Sequence, residues 1–150
     1  LSILQGPIPP PPRTLTARIV KGRRNDKAAG TGYKLLGYAE GILGLFEARD
    51  AGDDEALFLD TEGHVSEAAA SNVFLVKGGK VLTPPLGCGI LPGVTREILT
   101  SSIRGIVPLV RVNGRRIGDG QPGPKTLELA KRWRRLIDRE LLGVETPLVL

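Results

Sequence analysis

Four short stretches of the sequence carry side chains whose combination suggests covalent chemistry on a carbonyl compound. Lys34 opens a helical pattern in Tyr33-Lys34-Leu35-Leu36-Gly37-Tyr38. A lysine facing an apolar, glycine-lined helix is partly desolvated, which lowers its pKa and favours the neutral, nucleophilic amine. The plainer reading is a solvated lysine at a helix start. Glu67 stands in Gly63-His64-Val65-Ser66-Glu67, ahead of Ala68-Ala69-Ala70-Ser71-Asn72, and reads as following a strand. A carboxylate among small residues can approach a flat ring closely and keep a ring nitrogen protonated. Its plain alternative is an exposed glutamate at a strand end. Gly93-Val94-Thr95-Arg96 follows a Pro/Gly loop and opens a predicted helix, so backbone N–H groups and a hydroxyl converge on an anion site. Thr100-Ser101-Ser102 adds three hydroxyls. Ordinary helix N-caps would use the same residue types.

The elements that must position these groups follow from periodicity and turn residues. Residues 14–20 (TLTARIV) read as a strand, and the basic, Gly-rich stretch 21–33 as a loop. Over residues 35–49, Leu35, Ala39, Ile42 and Phe46 form a helical stripe, with Gly37, Gly41 and Gly44 on another face. Each glycine costs a helix about 1 kcal/mol relative to alanine. Three of them predict a close approach of backbone or ligand, or tight helix packing. Residues 56–60 (ALFLD) form a strand, a turn follows at Thr61-Glu62-Gly63, and a second strand begins at His64. Residues 73–76 and 80–82 flank Gly78-Gly79, a two-strand hairpin signal, and 83–92 form a Pro/Gly loop. Residues 105–112 and 115–117 around Asn113-Gly114 predict another hairpin. Residues 125–141 form an amphipathic helix with Leu127, Ala130, Trp133, Ile137 and Leu141 on one face. Pro124 precedes it at a permitted position, and Glu128 can pair with Arg132. The expected class is α+β, with hairpins rather than regular βαβ units.

With 41% hydrophobic and 25% charged residues, the 150-residue chain has the balance of one soluble globular domain. No apolar run approaches the roughly 18 residues of a membrane span, and no basic-then-apolar leader is present. The expected location is cytoplasmic. Cys88 is the single cysteine, which excludes an internal disulfide and a multi-Cys zinc site; no metal is expected. With His64 the single histidine, a Ser-His or Cys-His nucleophile would have to use that residue. Methionine is absent, position 1 included, so the sequence is expected to begin inside a longer reading frame or after processing. The net charge of +5 clusters at Arg23-Arg24, Arg115-Arg116 and 131–135. Aromatic content is 4% and no stacking platform appears, so these clusters read as solvated faces and turns, not a nucleic-acid surface.

An amine, a carboxylate and a hydroxyl-rich anion site are parts that a pyridoxal-phosphate (PLP) enzyme requires. The sequence resembles the class IV aminotransferases, which include branched-chain aminotransferases, D-amino-acid aminotransferases and aminodeoxychorismate lyases. The resemblance runs from about Pro9 to Arg139, through KLLGY, FEARDAGDDEALFLDTEGHVSEAAASNVFLVKGGKVLTPPLGCGILPGVTRE, LTSSIRGIVPLV and VNGRRIGDGQPGP. It implies the cofactor-binding large domain of the D-amino-acid aminotransferase-like fold (PLP fold type IV), in incomplete form.

By the same resemblance Lys34 is the Schiff-base lysine that also moves the substrate proton. Tyr38 bonds the ring oxygen and Glu67 binds the pyridine nitrogen. Val94, Thr95 and Ser102 hold the phosphate, and Arg104 is a candidate contact for a substrate carboxylate, with a structural or solvent role as its rival. Lys27, in KAAGTGY, rivals Lys34, but Gly37-Tyr38 and Glu67 lie at the family's spacing from Lys34. Gly37 stands where the family more often has Asn.

The implied activity is transfer of an amino group between an amino acid and a 2-oxo acid, in a homodimer, with no nucleic-acid or membrane partner. The alternatives are an aminodeoxychorismate lyase of folate synthesis, or a catalytically impaired remnant. Two departures from the family are expected. The smaller N-terminal domain has no counterpart, residues 1–13 being the end of its linker and 14–150 the large domain. The family's helix and strand between GVTR and TSS shrink to residues 97–99, an internal deletion near 96–100. That loss is expected to open the core and expose sheet edges.

Overall fold

A computed structural model of the chain describes residues 12–31, 38–90 and 105–142. The first strand, β1 (Leu15–Arg24), is the centre of a five-stranded sheet ordered β3-β2-β1-β6-β7. Helix α1 (Ala39–Asp50) carries the chain to β2 (Glu55–Asp60), which pairs parallel to β1. The strands β3 (Val65–Ala68) and β6 (Leu109–Val112) pair antiparallel to β2 and parallel to β1, and β7 (Arg115–Arg116) closes the row against β6. A separate hairpin joins β4 (Leu75–Lys77) and β5 (Lys80–Leu82), and α2 spans Pro124–Leu142. Among the described residues no helix is long and apolar enough to cross a membrane.

Four expectations need correction. β1 does not end at Val20: residues 21–24 continue it, because Arg23 and Arg24 pair with Leu59 and Asp60 of β2. The pairing of β1 with β2 across α1 is a βαβ unit, so the α+β fold has one such unit at its centre, not hairpins alone. Glu67 lies inside β3, not after a strand. The last hairpin is shorter than 105–117, because Pro108 has no N–H for a ladder; its carbonyl accepts from Leu15 N–H at 2.9 Å instead. Both two-residue turns adopt left-handed backbone at each central residue, Gly78-Gly79 and Asn113-Gly114, as tight hairpins require.

Helix α1 meets the sheet with its glycine face, the close approach expected at Gly41 and Gly44, and not with its apolar stripe. Ile42 and Phe46 of the anticipated stripe are 48% and 54% exposed, whereas Gly41, Gly44 and Ala48 are buried. A Cβ on Gly44 would overlap Cζ of Phe58, and one on Gly41 would lie 3.1 Å from the Ala69 carbonyl. Glycine is needed so that the helix backbone can rest on the Phe58 ring. Phe58, Val20, Ala48, Ala56 and Ala69 form the core on this side, with Leu45 packed against them.

On the other side Ala17, Leu57 and Ala68 meet Ile19, Val73, Leu109 and Val112. Beyond them a cavity of about 820 Å³ reaches Leu129 of α2. In α2 the anticipated Glu128–Arg132 pair forms, while Leu127 of its apolar face is half exposed. Gly44→Ala is expected to lower stability by about 1–3 kcal/mol through overpacking. Helix propensity alone predicts a gain of about 1 kcal/mol. Urea-denaturation midpoints decide between them, with the exposed Leu43→Ala as the control expected to stay within about 0.5 kcal/mol.

Candidate functional site

Alternation along β1 sends Val20, Gly22 and Arg24 to the side of the sheet that α1 covers. Val20 packs in the Phe58 cluster, and a Cβ on Gly22 would touch the Phe58 ring at 3.6 Å. The Arg24 guanidinium lies over that ring, 4.4 Å from its centroid. From there Nε is 3.2 Å from Glu67 Oε1 and Nη1 is 3.4 Å from Glu40 Oε2. Arg24 and Glu67 are 18% and 15% exposed, so this is a largely desolvated pair, while Glu40 is 68% exposed. The planar fork suits a position that is stacked on one face and flanked by carboxylates. Arg24 therefore ties the first turn of α1 to β3 at the end of β1.

Tyr38 stands immediately before α1, where its carbonyl accepts from Ile42 N–H at 2.9 Å and its side chain is 44% exposed. Of the residues singled out in the sequence, the structure thus places Tyr38 and Glu67 on segments that Arg24 brings together. Lys34, Val94, Thr95, Ser102 and Arg104 lie outside the described residues. Lys27, the rival lysine, is 70% exposed and its Nζ is 3.1 Å from Glu62 Oε1. Its hydrogen bond to Glu62, and the charge of that carboxylate, push the Lys27 ammonium up, the opposite of what a neutral amine nucleophile needs. Sequence reading missed Arg24, because residues 21–24 read as a loop. Had the strand been carried to Arg24, alternation would have put that arginine with Val20.

The sequence matches the family model described as amino-transferase class IV over residues 1–112. The chain belongs to the class IV aminotransferase family. It is 29% identical to a probable branched-chain-amino-acid aminotransferase of Aquifex aeolicus, over 77% of this chain and 47% of that protein. The branched-chain aminotransferase of Thermoproteus uzoniensis, solved with norvaline, superposes with a TM-score of 0.78 at 30% identity. That match covers 87% of this chain and 54% of the other. The PLP-form of the Thermobaculum terrenum enzyme gives 0.77 at 27% identity, covering 83% and 51%. The chain therefore spans about half the length of these class IV relatives. Their fold is the PLP fold type IV expected from the sequence, here in incomplete form.

A second polar cluster of this class IV chain lies where three loops meet. Asp60, buried at the end of β2, accepts N–H bonds from Glu62 (3.0 Å) and His64 (2.8 Å) on Oδ1. Its Oδ2 is 3.2 Å from His64 Nδ1. Burial alone would raise the Asp60 carboxyl; bonds from the His64 backbone, the Cys88 thiol, the His64 ring and Glu62 outweigh it and hold the carboxyl below its usual range. Burial pushes the Cys88 thiol up, and its bond to Asp60 adds to this. Asp26 sits beside them and accepts from the Thr61 hydroxyl and, at 3.2 Å, from Thr61 N–H.

The Thr61 hydroxyl is the main cause holding the Asp26 carboxyl below its usual value. A carboxyl lowered on folding stabilises the folded state above its unfolded pKa of about 3.9, and that stabilisation is lost as pH falls through the lower, folded value. Asp26→Asn keeps an acceptor for Thr61 but cannot titrate. Its denaturation midpoint should therefore fall less steeply than that of the wild type between about pH 5 and about pH 2. Parallel slopes for the two proteins would refute this assignment.

Proposed function

We propose that this chain is the cofactor-binding part of a PLP-dependent aminotransferase that moves an amino group between an amino acid and a 2-oxo acid. The proposed substrates are branched-chain amino acids, the class named for the Aquifex and Thermoproteus relatives. The observation that carries the reading is the Arg24–Glu67 pair beneath the head of α1. It supplies a largely buried carboxylate with its own counterion, next in sequence to Ala68 and Ala69 and near the segment that carries Tyr38. A protonated aromatic nitrogen fits such a carboxylate. The residues present therefore suit PLP.

In this reading Glu67 holds the pyridine nitrogen and the Tyr38 hydroxyl orients the ring oxygen. Val94, Thr95 and Ser102 bind the phosphate, and Arg104 receives the substrate carboxylate. Lys34 would hold the cofactor covalently through Nζ until the substrate amine displaces it, and the freed amine would then take and return the proton at the substrate Cα. Bound PLP supplies the electron sink that makes this proton removable. Arg24 is a positioning residue: it keeps the Glu67 carboxylate aimed and discourages it from turning to water. The working form is proposed to be a homodimer.

The purified chain, saturated with PLP, should develop a visible absorbance band that borohydride reduction removes. Lys34→Ala should abolish the band and cut amino-group transfer from a branched-chain donor by roughly 10²–10⁴-fold, the usual span for a lost proton-transfer group. No band at saturating PLP in the folded wild-type chain would sink the reading.

A further inference from the structure

At the C-terminal end of β2, where Asp60 pairs in register with Arg24 of β1, three different metal-ligand side chains converge. A carboxylate oxygen of Asp60, a ring nitrogen of His64 and Sγ of Cys88 lie within 4.8 Å of one another. We propose that Asp60, His64 and Cys88 form a binding site for a borderline-soft divalent cation of the Zn²⁺ type.

Local structure explains the convergence. The turn after Asp60 folds back through Gly63 at φ 91°, so that His64 returns over the carboxylate. Cys88 arrives on the 3-10 turn Leu86–Cys88, and Gly89 follows it at φ 73°. A Cβ on Gly89 would stand 3.0 Å from Asp26 Cα, so glycine lets this turn close onto the loop after β1. The sulfur is thereby carried in from a segment far along the chain.

The donor set selects the ion. A thiolate, an imidazole and a carboxylate suit Zn²⁺, whereas Mg²⁺ and Ca²⁺ require oxygen donors. Tetrahedral zinc with ordinary bond lengths places its donors about 3.3–3.6 Å apart. The His64 Nδ1 to Asp60 Oδ2 separation is 3.2 Å, within about 0.1 Å of that range. The 4.8 Å limit leaves the sulfur about an ångström to close at most.

Division of labour at Asp60 favours the same conclusion. Oδ1 is fixed by two backbone N–H groups, which orients the carboxylate and leaves Oδ2 as the ligand atom. Asp60 and Cys88 are buried while the His64 side chain is 71% exposed, so the fourth position opens to water on the imidazole side. Binding replaces the thiol proton by the metal, and that proton passes to the buffer. The bound ion would clamp the β2–β3 turn to the 3-10 turn that leads to Val94 and Thr95.

The test uses the whole chain, stripped with chelator and titrated with Co²⁺ alone as a coloured stand-in for zinc. One equivalent should give a thiolate-to-cobalt charge-transfer band in the near ultraviolet, and Zn²⁺ should bleach it. Cys88→Ser should remove the band. His64→Ala should weaken binding at least tenfold, with folding of both variants checked by circular dichroism. Cys88 is the single thiol, so alkylation followed by mass spectrometry reads the site in the unaltered chain. Saturating Zn²⁺ should slow that reaction at least tenfold. No charge-transfer band in the folded wild type, or alkylation unaffected by Zn²⁺, would overturn the proposal. Neither readout involves PLP, so failure here leaves the aminotransferase reading standing, and the reverse also holds.

Discussion

The Phe58 ring is the object around which the described structure is arranged. It is buried from β2, touched by Gly22 of β1, overlain by the Arg24 guanidinium and covered by the backbone of α1 at Gly44. Burying such a side chain stabilises a fold by about 1.5–3 kcal/mol. Here the burial also sets a distance. With no Cβ at Gly44, the helix axis lies as close to the sheet as the ring allows. The βαβ crossover, the first turn of α1 and Glu40 take their places from that contact. Large side chains on the same helix, such as Leu43 and Phe46, are left on the outside.

That arrangement gives Arg24 two roles from one position. Its stacked face completes the cover over Phe58, while its edge reaches Glu67 on β3 and Glu40 on α1. Core packing and site geometry are therefore linked through one guanidinium. A lysine there would offer a point charge in place of the planar fork, and could not stack and span the two carboxylates in the same way. Class IV membership fits a scaffold of this kind, in which a buried parallel pair of strands carries polar side chains at its end.

Much of the fold was legible where the signal is local. Gly78-Gly79 and Asn113-Gly114 announced their hairpins, and the 3.6-residue spacing after Pro124 announced α2. What escaped was non-local. The basic residues 21–24 have no strand signal of their own; they are extended because β2 lies beside them. The pairing of β1 with β6 joins segments some ninety residues apart, with nothing at either end to mark it. Periodicity weighs large apolar side chains, so it marked Ile42 and Phe46 as a stripe, while the glycines on another face predicted only some close approach without saying to what. Glycines become an inner face once an aromatic ring opposes them, and Phe58 belongs to another element. Among the residues of the proposed site, Glu67 and Tyr38 were named from the sequence, while Arg24 needed the sheet. Cys88 looked isolated because its neighbours, Asp60 and His64, are brought to it by a turn.

The short outer strand β7 gives the positive charge of the chain a different meaning. It consists of Arg115 and Arg116, both exposed, and among the described residues it is the rim of the five-stranded sheet on that side. A strand from another molecule approaching this rim would find a two-residue ladder and a pair of guanidiniums. Edge-to-edge growth is suppressed by brevity and charge of this kind. The arginines beside Asn113-Gly114 thus give this rim the brevity and charge that disfavour edge-to-edge pairing.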